Sequence, residues 1–262
     1  MIKTDNTAGF GNSYIKQTTP AGSQTAYSVQ GVGAGNTPNG ICVGPDNNLW
    51  VANSSGILKC TTSGTLTAYD TTYANVGNSV NICSGPDGNL WFCSSGTGGN
   101  QVVRMTTSGT VNSWSNGSSS ANGICSGPDG NLWYTGYSSG SVGRGINKIT
   151  PSGTITNYGV SGQTWTAAGG CNTIAVGGDN NIWGVGSTGT NNSGTVLKST
   201  TSGGITTYSV SARYLTISAG PDGNLWVGGN NNTYSMFQIT TSGTVTQFGG
   251  SIGYISAIGQ GP

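Results

Sequence analysis

This chain repeats itself, and that constrains its fold more than anything else in the sequence. The pattern G-P-D-G-N-L-W, or a close variant, occurs five times, with Asp46, Asp87, Asp129, Asp179 and Asp222 followed four residues later by Trp50, Trp91, Trp133, Trp183 and Trp226. A second pattern, basic-x-T-T-S-G-T-x-T-x-aromatic, interleaves with the first in six copies. Its glycines are Gly22, Gly64, Gly109, Gly153, Gly203 and Gly243, and five residues after each stands Tyr27, Tyr69, Trp114, Tyr158, Tyr208 or Phe248. The glycines are spaced 42, 45, 44, 50 and 40 residues apart. A period of that length belongs to arrays in which each unit buries its faces against its neighbours.

Each pattern is a turn between two apolar runs. In P-D-G-N the proline presets φ, the aspartate bonds the backbone ahead of it, and the glycine takes a positive φ; T-S-G-T does the same for a second hairpin. One period therefore holds four short strands, and no segment carries a helical period over three turns. This predicts an all-β six-bladed propeller with four-stranded antiparallel blades. The spans are about 30–70, 71–114, 115–160, 161–208 and 209–249, with 250–262 plus 1–29 forming the sixth. Ile258–Pro262 reads as the first strand of that last blade and Ile15–Tyr27 as its outer hairpin, so the two ends of one domain, 1–262, share it.

Composition then narrows the functions. Only 8 Lys+Arg and 7 Asp+Glu occur in 262 residues, net charge +1, and His is absent. A nucleic-acid footprint needs more basic charge than this, so no nucleic-acid partner is expected. No apolar run approaches a membrane span, so no membrane insertion is expected. MIKTDNTAGF lacks the apolar core of a signal peptide, and its Sec-type export is not expected. The polar, nearly uncharged coat suits an extracellular or virion surface.

Most charges are repeated and read as architectural. The turn aspartates are matched by Lys16, Lys59, Arg104, Lys148 and Lys198 at one site on the third strand, with Gln238 in the remaining copy, each expected over an aromatic ring or carboxylate. The tryptophans read as plugs between blades. Lys3, Asp5, Asp70, Arg144 and Arg213 are left unrepeated. Cys42, Cys83 and Cys125 share one inner-strand position taken elsewhere by Ala175, Ser218 and Gly259, a demand for small side chains, and no metal site is expected there. Cys83 and Cys93 lie on adjacent strands and could pair.

The repeat Ile146–Tyr158, with Gly127–Tyr134, resembles that of the virginiamycin B lyase (streptogramin lyase) family. The resemblance implies a propeller. In that family it also implies eliminative opening of a cyclic depsipeptide ester by His and Glu with magnesium, on seven blades. Carried over residue by residue, the family's imidazole position corresponds to Asn39 and Asn122, and its carboxylate three after Trp to Asn53, Ser94, Gly136, Gly186 and Gly229. The expectation is therefore no lyase activity, no catalytic residue and no cofactor or metal.

The repeated turns fall at one end of the blades and the variable connections at the other. Tyr73, Tyr137, Arg144, Trp165, Arg213, Tyr214 and Tyr234 lie at the variable end and are the candidate ligand-binding residues. Aromatic rings with amides and a few guanidinium groups suit a carbohydrate or a surface receptor protein. The reading is a lectin-like, non-catalytic binding module of the kind found on a phage tail or virion surface. A spacer ring within a larger particle, or an enzyme retaining lyase-type chemistry, are the alternatives.

Overall fold

The computed structural model describes residues 2–6, 13–18, 21–29, 38–53, 56–69, 81–96, 99–115, 118–138, 144–159, 173–187, 194–230 and 234–249. All regular structure among them is β, and no helix there is long and apolar enough to cross a membrane. The chain divides into two compact units, one up to Asn116 and one from Gly117 onward. In the first unit β1 (Ile2–Asn6), β2 (Ser13–Thr18) and β3 (Gln24–Ser28) form a three-stranded sheet. Beside it are the four-stranded sheets β4 (Pro38–Val43) to β7 (Leu66–Tyr69), through β5 (Leu49–Asn53) and β6 (Gly56–Cys60), and β8 (Ile82–Ser84) to β11 (Val111–Ser115), through β9 (Leu90–Gly96) and β10 (Gly99–Met105). The second unit holds β12 (Ser118–Ser126), β13 (Leu132–Ser138), β14 (Arg144–Ile149) and β15 (Ile155–Gly159). These are followed by β16 (Ile174–Val176), β17 (Ile182–Ser187), β18 (Gly194–Ser199) and β19 (Ile205–Val210), and by β20 (Arg213–Ala219), β21 (Leu225–Asn230), β22 (Tyr234–Ile239) and β23 (Val245–Phe248). Every sheet is an antiparallel meander with strands in chain order, as the two turn patterns predict.

Strand β1 was not foreseen: Ile2–Asn6 pairs with Ser13–Gln17 and takes the second-strand place in the first sheet. The segment assigned above to that blade's first strand, 258–262, lies outside the described residues.

Along β5 buried residues follow one another from Trp50 to Asn53 because both faces of its sheet are covered. On β5, Trp50 and Ala52 point one way, into a core with Ile82, Leu90, Phe92, Val103 and Met105 of the following sheet. Val51 points the other way, with Leu58 and Cys60, against Ile15 and Val29 of the preceding sheet. The two-residue period that usually yields one polar face instead feeds two cores. In the second unit Trp133 and Ile146 meet Ile174, Ile182 and Leu197, and Trp183 and Val185 meet Ile217, Leu225 and Phe237.

The repeated charges join each of these cores to its turn. In the β4–β5 turn the Trp50 indole Nε1–H donates to Asp46 Oδ1 (2.9 Å), and the Asn48 amide and backbone N–H donate to the same carboxylate. Lys59 reaches it from β6 at 2.8 Å with its ammonium 5.4 Å from the Trp50 ring centre. Lys198 repeats this with Asp179 at 2.8 Å over Trp183, while Arg104 and Lys148 approach Asp87 and Asp129 at 3.8 and 3.9 Å. Lys198 also donates to the Thr241 carbonyl of the next sheet (2.8 Å), so one ammonium links a turn, a ring and a neighbour. Burial raises the pKa of Asp179, but hydrogen bonds from Lys198, Asn181 and Trp183 outweigh it and hold the carboxyl at about 2. At Asp46 burial is likewise overcome, by Lys59, Trp50 and Asn48, and its pKa is also lowered.

Turn backbones explain the residue choices. The turn glycines Gly88, Gly130 and Gly223 sit at φ of 72°, 72° and 77°, and where the pattern has Asn instead, Asn47 and Asn180 adopt 57°. Asparagine is the side chain that tolerates this region best. The T-S-G glycines need more than the angle: a Cβ on Gly64, Gly203 or Gly243 would enter the ring of Tyr27, Tyr158 or Tyr208 of the preceding sheet.

Trp50, Trp91, Trp133 and Trp183 are fully buried, as plugs should be. Trp226 differs, being only half-buried. The suggested Cys83–Cys93 bond is not formed: Cys93 is a free thiol, because Cys83 stands opposite Trp91 and Cys93 is opposite Val102 of the next strand.

Candidate functional site

With the repeated turns at one end of each antiparallel sheet, the second-to-third strand connections and the strand beginnings after each intersheet connection lie at the other. In the second unit the register brings several of the unrepeated residues together there. Tyr137, near the end of β13, stands opposite Arg144, which opens β14, and opposite Ser120 of β12. Arg213 opens β20 opposite Asn230, and Tyr234 opens β22 opposite the same Asn230, so an arginine and a tyrosine flank one amide position. Tyr214 lies in the register shift between Arg213 and Thr216. Tyr73 and Trp165 lie outside the described residues, as does Asp70. Lys3 and Asp5 are on β1, opposite Lys16 and Tyr14.

Three inner strands share a feature that sequence reading missed. β4 shifts register between Pro38 and Gly40, β12 between Ser118 and Ser120 and again between Ala121 and Ile124, and β20 between Arg213 and Thr216, each shift adding one residue relative to the partner strand. A bulge of this kind turns the strand and re-aims its side chains, and bulges gather at rims and binding sites. The signal was present in two of the three as Asn-Gly inside a strand, at Asn39-Gly40 and Asn122-Gly123. Asn39 is exposed and Asn122 half-buried. The Gly123 N–H left over by its bulge donates to Thr135 Oγ1 at 3.0 Å, and Ile217 N–H donates across sheets to Thr173 Oγ1 at 2.8 Å.

The position three after each tryptophan also reaches this end. Asn53 is 1% exposed and neither its Nδ2 nor its Oδ1 has a hydrogen-bond partner among the described residues; Ser94 is 1% exposed, and Gly136, Gly186 and Gly229 are buried. This donor set is one amide, one hydroxyl and three glycines. Magnesium takes carboxylate oxygens, with waters completing an octahedron, so these residues do not fit that ion. Among the described residues no three His, Cys, Asp or Glu converge on a point that could hold a metal.

The shifted thiols lie elsewhere. Burial pushes Cys42 and Cys125 up to about 12, with the neighbouring Asp46 or Asp129 charge adding to it, and burial alone raises Cys93. Thiols held this far from ionisation are poor nucleophiles and poor metal ligands.

Antiparallel four-stranded meanders, repeated at this period, define a β-propeller protein. The virginiamycin B lyase family matches residues 10–168, and the chain belongs to that family. Among solved structures it is similar to virginiamycin B lyase from Staphylococcus aureus, at 26% identity and TM-score 0.66, over 81% of this chain and 69% of that one. A catalytically inactive form of that enzyme with quinupristin gives 23% identity and TM-score 0.70, over 100% and 78%. PorZ, a surface component of the type-IX secretion system of Porphyromonas gingivalis, shares the fold at 14% identity and TM-score 0.60, over 91% and 38%. No curated protein matches the chain.

Proposed function

We propose that this chain is a non-catalytic binding module of the propeller class that presents its loop end to a glycan or to a surface receptor protein. The observation that carries the reading is the gathering of Tyr137 with Arg144, and of Arg213 with Asn230 and Tyr234, at the end of the sheets remote from the repeated turns. Rigid sheets holding aromatic, amide and guanidinium groups on their rims suit polar ligands, since rings cover the apolar face of a sugar while amides bond its hydroxyls. Tyr73, Trp165 and Tyr214 are the remaining candidate contacts read from the sequence, and the setting that suits such a module is extracellular or on a virion.

The absence of catalysis is part of the proposal. Eliminating an ester requires a base that ionises near neutral pH and an acid or ion on the carbonyl. The chain offers Asn39 and Asn122 in place of an imidazole and Asn53 in place of a carboxylate. A glycan array probed with the purified protein, with Tyr137→Ala and Trp165→Ala as paired controls, tests binding: hits that vanish in both variants support it, and a blank array moves the weight to a protein ligand. Turnover of a streptogramin B by the pure protein would overturn the non-catalytic reading.

A further inference from the structure

The second unit places every one of its carboxylates at one end of its sheets and two of its four cations at the other. Gly117–Gln260 contains three acidic residues, Asp129, Asp179 and Asp222, and four basic ones, Arg144, Lys148, Lys198 and Arg213. All three aspartates stand in the repeated turns, each accepting from the indole of its own tryptophan at 2.9 to 3.2 Å. Lys148 and Lys198 face Asp129 and Asp179 at 3.9 and 2.8 Å, and the Gln238 amide donates to Asp222 at 2.7 Å. The carboxylates of this unit are thereby committed to its turn end.

The two arginines stand at the other end. Arg144 opens β14 four residues before Lys148, about 13 Å along the strand, and Arg213 opens β20 six residues before Ala219, about 20 Å. Both distances exceed the ~8 Å screening length of physiological salt, so the turn-end carboxylates do not neutralise these arginines. The unit has no other acidic residue to do so, and Asp5 and Asp70 precede it in the chain. The register sets Arg144 opposite Tyr137, which is itself opposite Ser120, and sets Arg213 opposite Asn230, which is itself opposite Tyr234. A guanidinium fork matches the oxygens of an anion two at a time, and a ring with a hydroxyl or amide suits the face and hydroxyls of a sugar. These register partners are not the apolar centre that a protein interface is built around.

We infer that the loop end of this unit selects an anionic glycan, one whose sugars carry a carboxylate or a sulfate, with Arg144 and Arg213 as the residues that read the charge. This rests on the glycan-binding reading above and adds the class of sugar to it.

The test is an array on which each glycan is printed as a matched pair, uronate beside its methyl ester, sialylated beside desialylated and sulfated beside unsulfated, with a poly-glutamate peptide as a further spot. The protein binds charged members about tenfold or more above their neutral counterparts, and the signal falls with added salt. Hits among carboxylated pairs assign the anion as a carboxylate and hits among sulfated pairs as a sulfate; either supports the inference. Arg144→Gln and Arg213→Gln each keep a hydrogen-bonding side chain, lose the preference for charge and leave the melting temperature unchanged. Lys198→Gln removes the same charge from the turn end and keeps the preference. Equal binding to charged and neutral members overturns the inference and leaves the glycan-binding reading standing, whereas a blank array overturns both. Poly-glutamate bound as strongly as the acidic glycans, a preference retained in either arginine variant or lost in Lys198→Gln, or a lowered melting temperature that reveals an internal partner for either arginine also overturns it.

Discussion

Two turn glycines in the same unit separate the cost of a backbone angle from the cost of a collision. Gly223 sits at φ +77° with nothing within 4 Å of where a Cβ would be, whereas Gly203 sits at φ +95° with its Cβ position inside the ring of Tyr158. Gly223→Ala then costs only the left-handed conformation, about 1 kcal/mol after the smaller entropy of the unfolded alanine chain is credited. Gly203→Ala carries that same cost and must also move Tyr158, which is stacked on Trp133 at 5.6 Å. Losing an aromatic pair costs about 1 kcal/mol and crowding a packed site about 1 to 3, so with the backbone cost the total is about 3 to 5 kcal/mol. Urea unfolding followed by tryptophan fluorescence reads both values from the midpoints at constant slope. The decisive control is the double variant: with Tyr158→Ala in place, Gly203→Ala falls back to about 1 kcal/mol, a coupling of about 2 to 4 kcal/mol. Equal costs for the two glycines, or a Gly203→Ala cost that the missing ring does not change, would refute the argument.

Asp179→Asn removes the ion pair to Lys198 while keeping the turn, and lowers stability at pH 7 by about 1 kcal/mol, reflecting a charged hydrogen bond at a partly exposed site. Because the folded pKa of Asp179 is depressed to about 2 from 3.8, its contribution is complete above about pH 4 and is lost as pH falls toward 2; acid titration of the variant shows a shallower limb there. Asn53→Leu removes a buried amide that has no partner among the described residues and is close in volume, so it raises the urea midpoint, worth about 1 kcal/mol; a lower midpoint would show that the amide is satisfied. Cys93, fully buried with its pKa raised by that burial, stays unmodified by a disulfide reagent at pH 8 in the native protein and reacts only in denaturant. Fast native labelling of Cys93, mapped by peptide mass, would count against the burial described.

The blades were legible because their information is local. A turn that needs Pro, Asp and a positive-φ residue in sequence, repeated at one interval, leaves few alternatives to consecutive hairpins, and the strands followed in chain order. The cation opposite four of the five turn aspartates, and the Gln238 opposite Asp222, were equally readable, since residues that share a repeat position share a place in the sheet. Strand β1 escaped because Ile2–Asn6 carries none of the repeat's residues and was specified only by its pairing with Ser13–Gln17. The bulges on β4, β12 and β20 escaped because an extra residue shows only when two strands are laid side by side.

The sequence by itself determined the period, the turn type at each hairpin, the Asp–Trp–cation stations and the strand order, all of which arise from contacts within one repeat. Only the tertiary structure decided what depends on a neighbour. It showed that the T-S-G glycines make room for the preceding sheet's tyrosine and that Cys83 and Cys93 are held apart. The physical reason is that packing between sheets joins residues about forty positions apart, where no turn chemistry links them and only the filled volume between two faces sets which side chains meet.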